Sequence, residues 1–424
     1  MNEKFEHKGY FFLPESPGIR VAGILSFLPG ENILIEIFGS LNGDFGLGEL
    51  LDLKSEKIIQ GDLSNSKKVT LINCTVSFDY NLSSSFPLIK YRCSYLVVGG
   101  HLNDITEKKF DFTNISFSNL FEWLGERTIK VKMKFDEQNS FNEANFNISK
   151  SLILDRCFQI DQKCNIHLIS GNRFYSESNS EAYHLREEPF VKLVSHNEKE
   201  SIIYFKDKAL LFRQFLEFAF LKPVAITELT LYDKNNFQGK GKNKLFHRYD
   251  LFFDENINQP PAVIDHALFD FKEVSEYFGD IIKKWFSINA ELAPIRNHLL
   301  DSIRPKKFFN SNDFLIIIQS LEGYHQRFIK SKVKEPKLKD RLKELTTKFE
   351  FVELIRISCI DIQKVVSTRG YYSHFYPNKK NVLEGKDLYN LTNDLRKLLI
   401  CCVLDLLGFN QELINEVITN YFKR

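Results

Sequence analysis

The chain has little of what marks several large classes of protein. Seven cysteines are scattered over 424 residues, and the closest separated pair, Cys157 and Cys164, has six residues between its members. Without C-x2-C spacing or a dense cysteine framework, a zinc knuckle and a disulfide-stapled scaffold are excluded, and free thiols are expected. No apolar run suffices to cross a bilayer: the most apolar stretch, Leu395 to Phe409, is broken by Arg396, Lys397 and Asp405. Residues 1–20 alternate charged and aromatic side chains without the apolar segment of a secretory signal, so a cytoplasmic protein with no membrane contact is expected. Neither G-x-x-x-x-G-K-S/T nor G-x-G-x-x-G occurs, which leaves nucleotide hydrolysis without a motif, and no cofactor is expected.

What is present is an ordinary globular composition, 43% hydrophobic and 26% charged, in a chain long enough for two or three domains. The net charge of +2 conceals a partition. Residues 281–424 carry 25 Lys and Arg against 16 Asp and Glu, whereas 1–280 carry 32 against 39. A basic C-terminal third behind an acidic remainder points to parts with separate partners, and the basic part suits a polyanion such as nucleic acid.

Hydrophobic periodicity divides the chain in the same place. Val21–Leu28, Ile33–Phe38, Val69–Phe78, Tyr95–Val98 and Ile129–Phe135 read as strands between turn residues, the last as IKVKMKF with apolar and Lys faces. Together they predict an antiparallel sandwich or barrel. Leu210–Leu221 interrupts them with a helical period, and Ile226–Leu231 resumes as a strand. The polar stretch 233–262, closed by Gln259-Pro260-Pro261, reads as a boundary. Past it, apolar residues recur at three and four over Phe271–Ser287, Leu292–Ile303, Asp313–Phe328, Lys337–Phe349, Phe351–Tyr372, Asp387–Leu407 and Gln411–Phe422, predicting a helical bundle. The fold class is therefore α+β multidomain, β-rich first and all-α after.

The segment Val365–Pro377 (VVSTRGYYSHFYP) concentrates the chemistry. It holds the one Arg with a His four to six positions on, Arg369-x4-His374. Five residues on an ideal helix set side chains about 140° apart, so convergence is expected only if the helix loosens or ends between them, near Gly370 and Pro377. A converged pair suits phosphodiester cleavage in RNA. The guanidinium stabilises charge on the phosphorane oxygens, and the imidazole moves the proton of the attacking 2′-OH or the leaving 5′-oxygen, without need of a metal. Glu322 and His325, at i,i+3 on a helix, suit a supporting or RNA-contacting pair. A di-iron site would need a second Glu-x-x-His, which no bundle helix offers. Arg296 and His298 could line a basic cleft, and Tyr371, Tyr372 and Tyr376 could stack bases.

Three stretches resemble a known family. Lys8–Glu15 (KGYFFLPE), followed by Pro17-Gly18 and Val21–Leu25, is similar to the opening of the ApeA N-terminal domain. Asp313–His325 (DFLIIIQSLEGYH) and Thr368–Phe375 (TRGYYSHF) resemble the ApeA-like HEPN domain and its catalytic motif. The resemblance implies an N-terminal sensing or regulatory domain over 1–262 and a HEPN ribonuclease domain over 263–424. It also implies abortive anti-phage defence, an RNA substrate, Arg369 and His374 as the catalytic pair, a homodimer with a composite cleft, and a phage-encoded trigger. HEPN motifs commonly place Asn, His or Asp after the Arg, and this chain has Gly370. That departure keeps open a rival reading, a non-catalytic RNA-binding and dimerisation protein acting as sensor or regulator. A carbohydrate-binding sandwich would fit the N-terminal half alone.

Overall fold

The computed structural model describes residues 5–27, 32–43, 55–81, 88–136, 138, 140–148, 154–176, 183–240, 244–253, 266–304, 308–331, 333–352, 360–377 and 380–423. Six strands open the chain: β1 (Phe5–Phe12), β2 (Val21–Phe27), β3 (Ile33–Phe38), β4 (Glu56–Leu63), β5 (Lys68–Asn81) and β6 (Leu88–Val98). They pair in the order β6-β3-β2-β1-β4-β5, and β5 returns to β6, closing a six-stranded antiparallel barrel. Strict alternation builds its interior. In β3, Ile33, Ile35 and Ile37 are buried and the residues between them are half-exposed, so one pleat face fills the lumen with Phe11, Leu25 and Leu71.

Ten more strands follow: β7 (Phe112–Phe117), β8 (Ile129–Phe135), β9 (Phe141–Ile148), β10 (Leu154–Gln159), β11 (Cys164–Ser170), β12 (Asn172–Ser176), β13 (Tyr183–Glu187), β14 (Phe190–Ser195), β15 (Ile226–Gln238) and β16 (Leu245–Phe253). β6 joins barrel and outer sheet. Its residues Ile89–Cys93 pair with β3, whereas Tyr95–Val98 pair with β16, from which the sheet runs on through β15, β7, β14 and β11 to β10. Gly99 makes the crossing possible. At φ +126° a Cβ there would lie 2.1 Å from the Arg248 carbonyl oxygen, an approach that glycine alone permits. β12–β13 and β8–β9 stand apart as two-stranded ribbons.

Residues 233–253, expected as part of a linker, are largely strand. Polar β15 pairs with β16 as far as Gln238↔Leu245, and Tyr232 stacks on Phe112 at 4.7 Å. Cross-strand aromatic pairing outweighs the polar composition there. The expected boundary at 262/263 lies outside the described residues, as does the first part of the helix expected over Phe351–Tyr372.

Two helices sit among the strands, α1 (Leu120–Leu124) and α2 (Ile202–Phe220), and eight follow: α3 (Phe271–Val274), α4 (Phe278–Ser287), α5 (Asn289–Ile303), α6 (Ser311–Phe328), α7 (Leu338–Lys348), α8 (Ile362–His374), α9 (Gly385–Leu407) and α10 (Gln411–Phe422). The helix expected over Phe271–Ser287 is divided in two, because Tyr277 N–H bonds the Val274 carbonyl in an i→i−3 turn. α2 begins with Ser201 accepting from Tyr204 N–H and is buried nearly all round from Phe215 onward. One side meets the sheet and the other meets the later helices. The Trp285 indole donates to the Leu211 carbonyl at 2.9 Å, Leu268 N–H to Ala219 at 2.7 Å, and the Tyr421 hydroxyl to Phe220 at 3.1 Å. One continuous hydrophobic core therefore runs from Val97 through α2 to Ile418, while the barrel lumen has its own. Among the described residues no helix is long and apolar enough to cross a membrane.

Candidate active site

α6 starts with a reciprocal cap, Asn310 accepting from Asn312 N–H and Asp313 accepting from Asn310 N–H at 3.1 Å. It packs against α5, α7, α8 and α9, and carries Glu322, half-buried, towards α8. α8 starts on the Asp361 cap and is anchored by Thr368, fully buried, whose hydroxyl accepts from Leu383 N–H at 3.0 Å. Arg369 follows that anchor, and His374 closes the helix before Phe375 turns the chain at φ +54°.

The two catalytic candidates meet. Arg369 Nη1 lies 2.5 Å from His374 Nε2, without the expected loosening, for α8 stays helical through Gly370 to His374. The reach of the arginine side chain spans the angular offset instead. A guanidinium can only donate, so Nε2 accepts and the neutral ring carries its proton on Nδ1. Glu322 Oε2 stands 3.7 Å from Arg369 Nη2, tying α6 to the same guanidinium. Past the turn, the Tyr376 ring folds back against His374 with centroids 5.3 Å apart. It covers Gly370 so closely that a Cβ there would be 3.3 Å from the ring. The sequence offered Gly370 as a place for the helix to loosen and as a departure from a polar residue; the aromatic seated over it carries no spacing signal. Phe375, 86% exposed, projects beside the pair.

Other candidates lie elsewhere. His325 is 1% exposed and bonds Glu344 of α7 at 2.7 Å, so Glu322 and His325 diverge to different neighbours. Arg296 is 4% exposed, donates to Asn289 Oδ1 at 2.8 Å and stacks over the Trp285 ring at 5.2 Å. Burial pushes its guanidinium down to about 10. Both side chains are buried inside the bundle: the helical positions that suggested a cleft point inward. His298 Nδ1 sits 3.3 Å from the Ser320 hydroxyl, joining α5 to α6. Tyr371 and Tyr372 pack edge to face at 5.0 Å, half-buried beside Arg369 and His374 in α8.

Residues 6–285 match the family described as ApeA N-terminal domain 1, and residues 315–413, which include Glu322, Arg369 and His374, match Apea-like HEPN. The chain belongs to the ApeA family. No curated protein and no solved structure matches it. The ApeA-like HEPN assignment supports a nuclease-like role in anti-phage defence, and the helical C-terminal region behind a strand-rich barrel agrees with the two-part architecture expected.

Proposed function

We propose that this ApeA protein is a metal-independent endoribonuclease of abortive anti-phage defence, with Arg369 and His374 as its catalytic pair. The observation that carries the reading is the 2.5 Å contact between Arg369 Nη1 and His374 Nε2 at the exposed end of α8. An RNA phosphate entering there takes over the guanidinium, which neutralises charge on the non-bridging oxygens. The freed Nε2 accepts the 2′-OH proton as the 2′-oxygen attacks phosphorus. The P–O5′ bond then breaks, and a proton returned to the 5′-oxygen leaves a 2′,3′-cyclic phosphate and a 5′-hydroxyl. Glu322 orients Arg369, and Tyr371 and Tyr372 offer ring faces to bases. Residues 263–424 form the ribonuclease part, a homodimer with two motifs facing one cleft, and residues 1–262 sense a phage-encoded trigger in the cytoplasm.

One observation favours the rival reading, RNA binding and dimerisation without cleavage: Gly370 follows Arg369 with no polar side chain, and the Tyr376 ring lies over it. RNA incubated with the full chain in chelator separates the two. Cyclic-phosphate ends that fall at least about 100-fold in Arg369→Ala and His374→Ala, with RNA binding retained by His374→Ala, support catalysis. Intact RNA with every form, alongside wild-type RNA binding, leaves the rival standing.

A further inference from the structure

The β8–β9 ribbon is built to be covered and is bare. Val131, Met133 and Phe135 of β8 share one face with Phe141 and Phe146 of β9, through the registers Val131↔Phe146 and Phe135↔Phe141. Each is between 45% and 63% exposed. A two-stranded ribbon is marginal in water by itself, and an uncovered apolar face of this kind marks an interaction surface. Among the described residues β8 and β9 pair only with one another, so both outer edges also present unpaired backbone groups.

The opposite face identifies the occupant. Lys130, Lys132 and Lys134 lie in a row along β8. Lys134 is matched by Glu143 at 2.7 Å, and that pairing holds the Glu143 carboxyl below the usual range. Glu143 is further engaged by the Asn145 amide at 2.8 Å. Lys130 and Lys132 instead stand opposite the neutral residues Asn147 and Asn145, so among the described residues neither has a carboxylate as its cross-strand partner.

We propose that the outer edge of β8 is a docking site for an extended strand of another protein, one whose residues alternate apolar and acidic. Main-chain hydrogen bonds to β8 would supply the pairing. The period-2 pleat would then set the visitor's apolar residues beside Val131, Met133 and Phe135 and its carboxylates beside Lys130 and Lys132. A second copy of the ribbon fits worse, because a symmetric β8–β8 pairing sets the Lys rows side by side on one face. Single-stranded RNA fits worse too, since it needs cations and stacking rings on one surface and the pleat sends them to opposite faces.

The full chain is titrated with a labelled decapeptide of alternating valine and glutamate, with the same composition in two blocks, and with alternating valine and lysine. Preferential binding of the first is expected. Lys130→Glu/Lys132→Glu should weaken it about tenfold, as two cross-strand attractions become repulsions, and should transfer preference to the valine–lysine peptide. All these positions are exposed, and circular dichroism of each variant checks the fold. No binding to the wild type, equal binding of blocked and alternating peptides, or indifference to charge reversal overturns the proposal. So does single-stranded RNA binding that falls in Phe141→Ala and in the charge-reversed protein. A dimer in sedimentation that dissociates in Met133→Lys without any peptide binding assigns the face to a second copy instead.

Discussion

Arg296 offers the sharpest test of how the bundle is held, because its burial carries a calculable penalty. An arginine held by desolvation at about 10, well below its ordinary value, has its charged form disfavoured by roughly 3 kcal/mol in the folded state, at about 1.36 kcal/mol per pH unit. The sign follows from linkage: the penalty is full below pH 10 and is relieved as the guanidinium loses its proton above that pH. Against it stand the Asn289 hydrogen bond and the Trp285 stack, while Nε and Nη1 find no hydrogen-bond acceptor. Arg296→Met fills the same space without charge, so it should leave stability within about 1 kcal/mol or raise it by up to about 2 kcal/mol. Asn289→Ala removes the acceptor and keeps the buried charge, and should destabilise by about 2–3 kcal/mol. Thermal unfolding of the full chain reads both; for a protein of this size each kcal/mol moves Tm by about 1–2 °C. A lower Tm for Arg296→Met than for Asn289→Ala refutes the account. Loss of RNA cleavage in a stable Arg296→Met returns the residue to the RNA-contacting role that its position in the sequence suggested.

Glu322→Gln should lower kcat/KM by less than about tenfold, since its pairing with Arg369 is half-exposed and 3.7 Å long; an effect as large as that of Arg369→Ala would give the carboxylate a direct part in the chemistry. Glu344→Ala strands buried His325 without its 2.7 Å partner and should cost about 1–3 kcal/mol of stability by thermal unfolding, with Glu344→Gln milder. Burial raises the Cys93, Cys401 and Cys402 thiols and pushes Cys164 up to about 12, and burial with the nearby Asp155 carboxylate also raises Cys157. Cys157 is nevertheless the exposed thiol among the described cysteines, so at pH 8 it should be alkylated first, as mass spectrometry of iodoacetamide-treated protein would show. The folded state keeps the Cys164 proton that the unfolded chain loses near pH 9, so this stabilisation is full below pH 9 and is lost as pH rises to 12. A fragment spanning 263–424 should be poorly folded and bind a hydrophobic dye, because it uncovers Phe269, Phe271, Phe278 and Trp285.

Elements with strong local patterns were legible. β3 and β8 alternate so cleanly that their expected spans, Ile33–Phe38 and Ile129–Phe135, are the spans found. α10 was expected over Gln411–Phe422 after Gly408 and is found there, where Asn410 caps it by accepting from Leu413 N–H. Barrel closure was not legible, because it depends on β5 being long enough to pair with both β4 and β6, a property of register rather than of composition. The Arg369–His374 pair was visible through its spacing, but the means of contact was not: side-chain reach, not helix fraying, brings the atoms together. The burial of His325 and Arg296 was not legible, for a common reason. A polar side chain on an amphipathic helix reads the same whether it faces solvent or a partner such as Glu344 or Asn289 inside the bundle.

The shared core constrains how any regulation by the N-terminal part can work. Phe215 and Phe218 of α2 pack edge to face on Phe269 with centroids 5.9 and 6.1 Å apart, and Trp285 lies 5.5 Å from Phe215. Exposing these four rings would cost on the order of 6–12 kcal/mol, at about 1.5–3 kcal/mol for each large side chain. Moving a two-state equilibrium from 1:99 to 99:1 takes about 5.5 kcal/mol of differential binding, so a trigger that separated the two parts would have to supply more than an ordinary switch requires. Any restraint of the proposed ribonuclease is therefore expected where the structure yields cheaply. The end of α8 meets that condition: Phe375 and Tyr376 are exposed, and the Arg369–Glu322 pairing is half-exposed. A shift of the Tyr376 ring off Gly370 frees the face of His374 without opening any part of the core. On that physical ground, switching of the proposed ribonuclease is expected at the last turn of α8 rather than in a separation of the helical bundle from the strand-rich part.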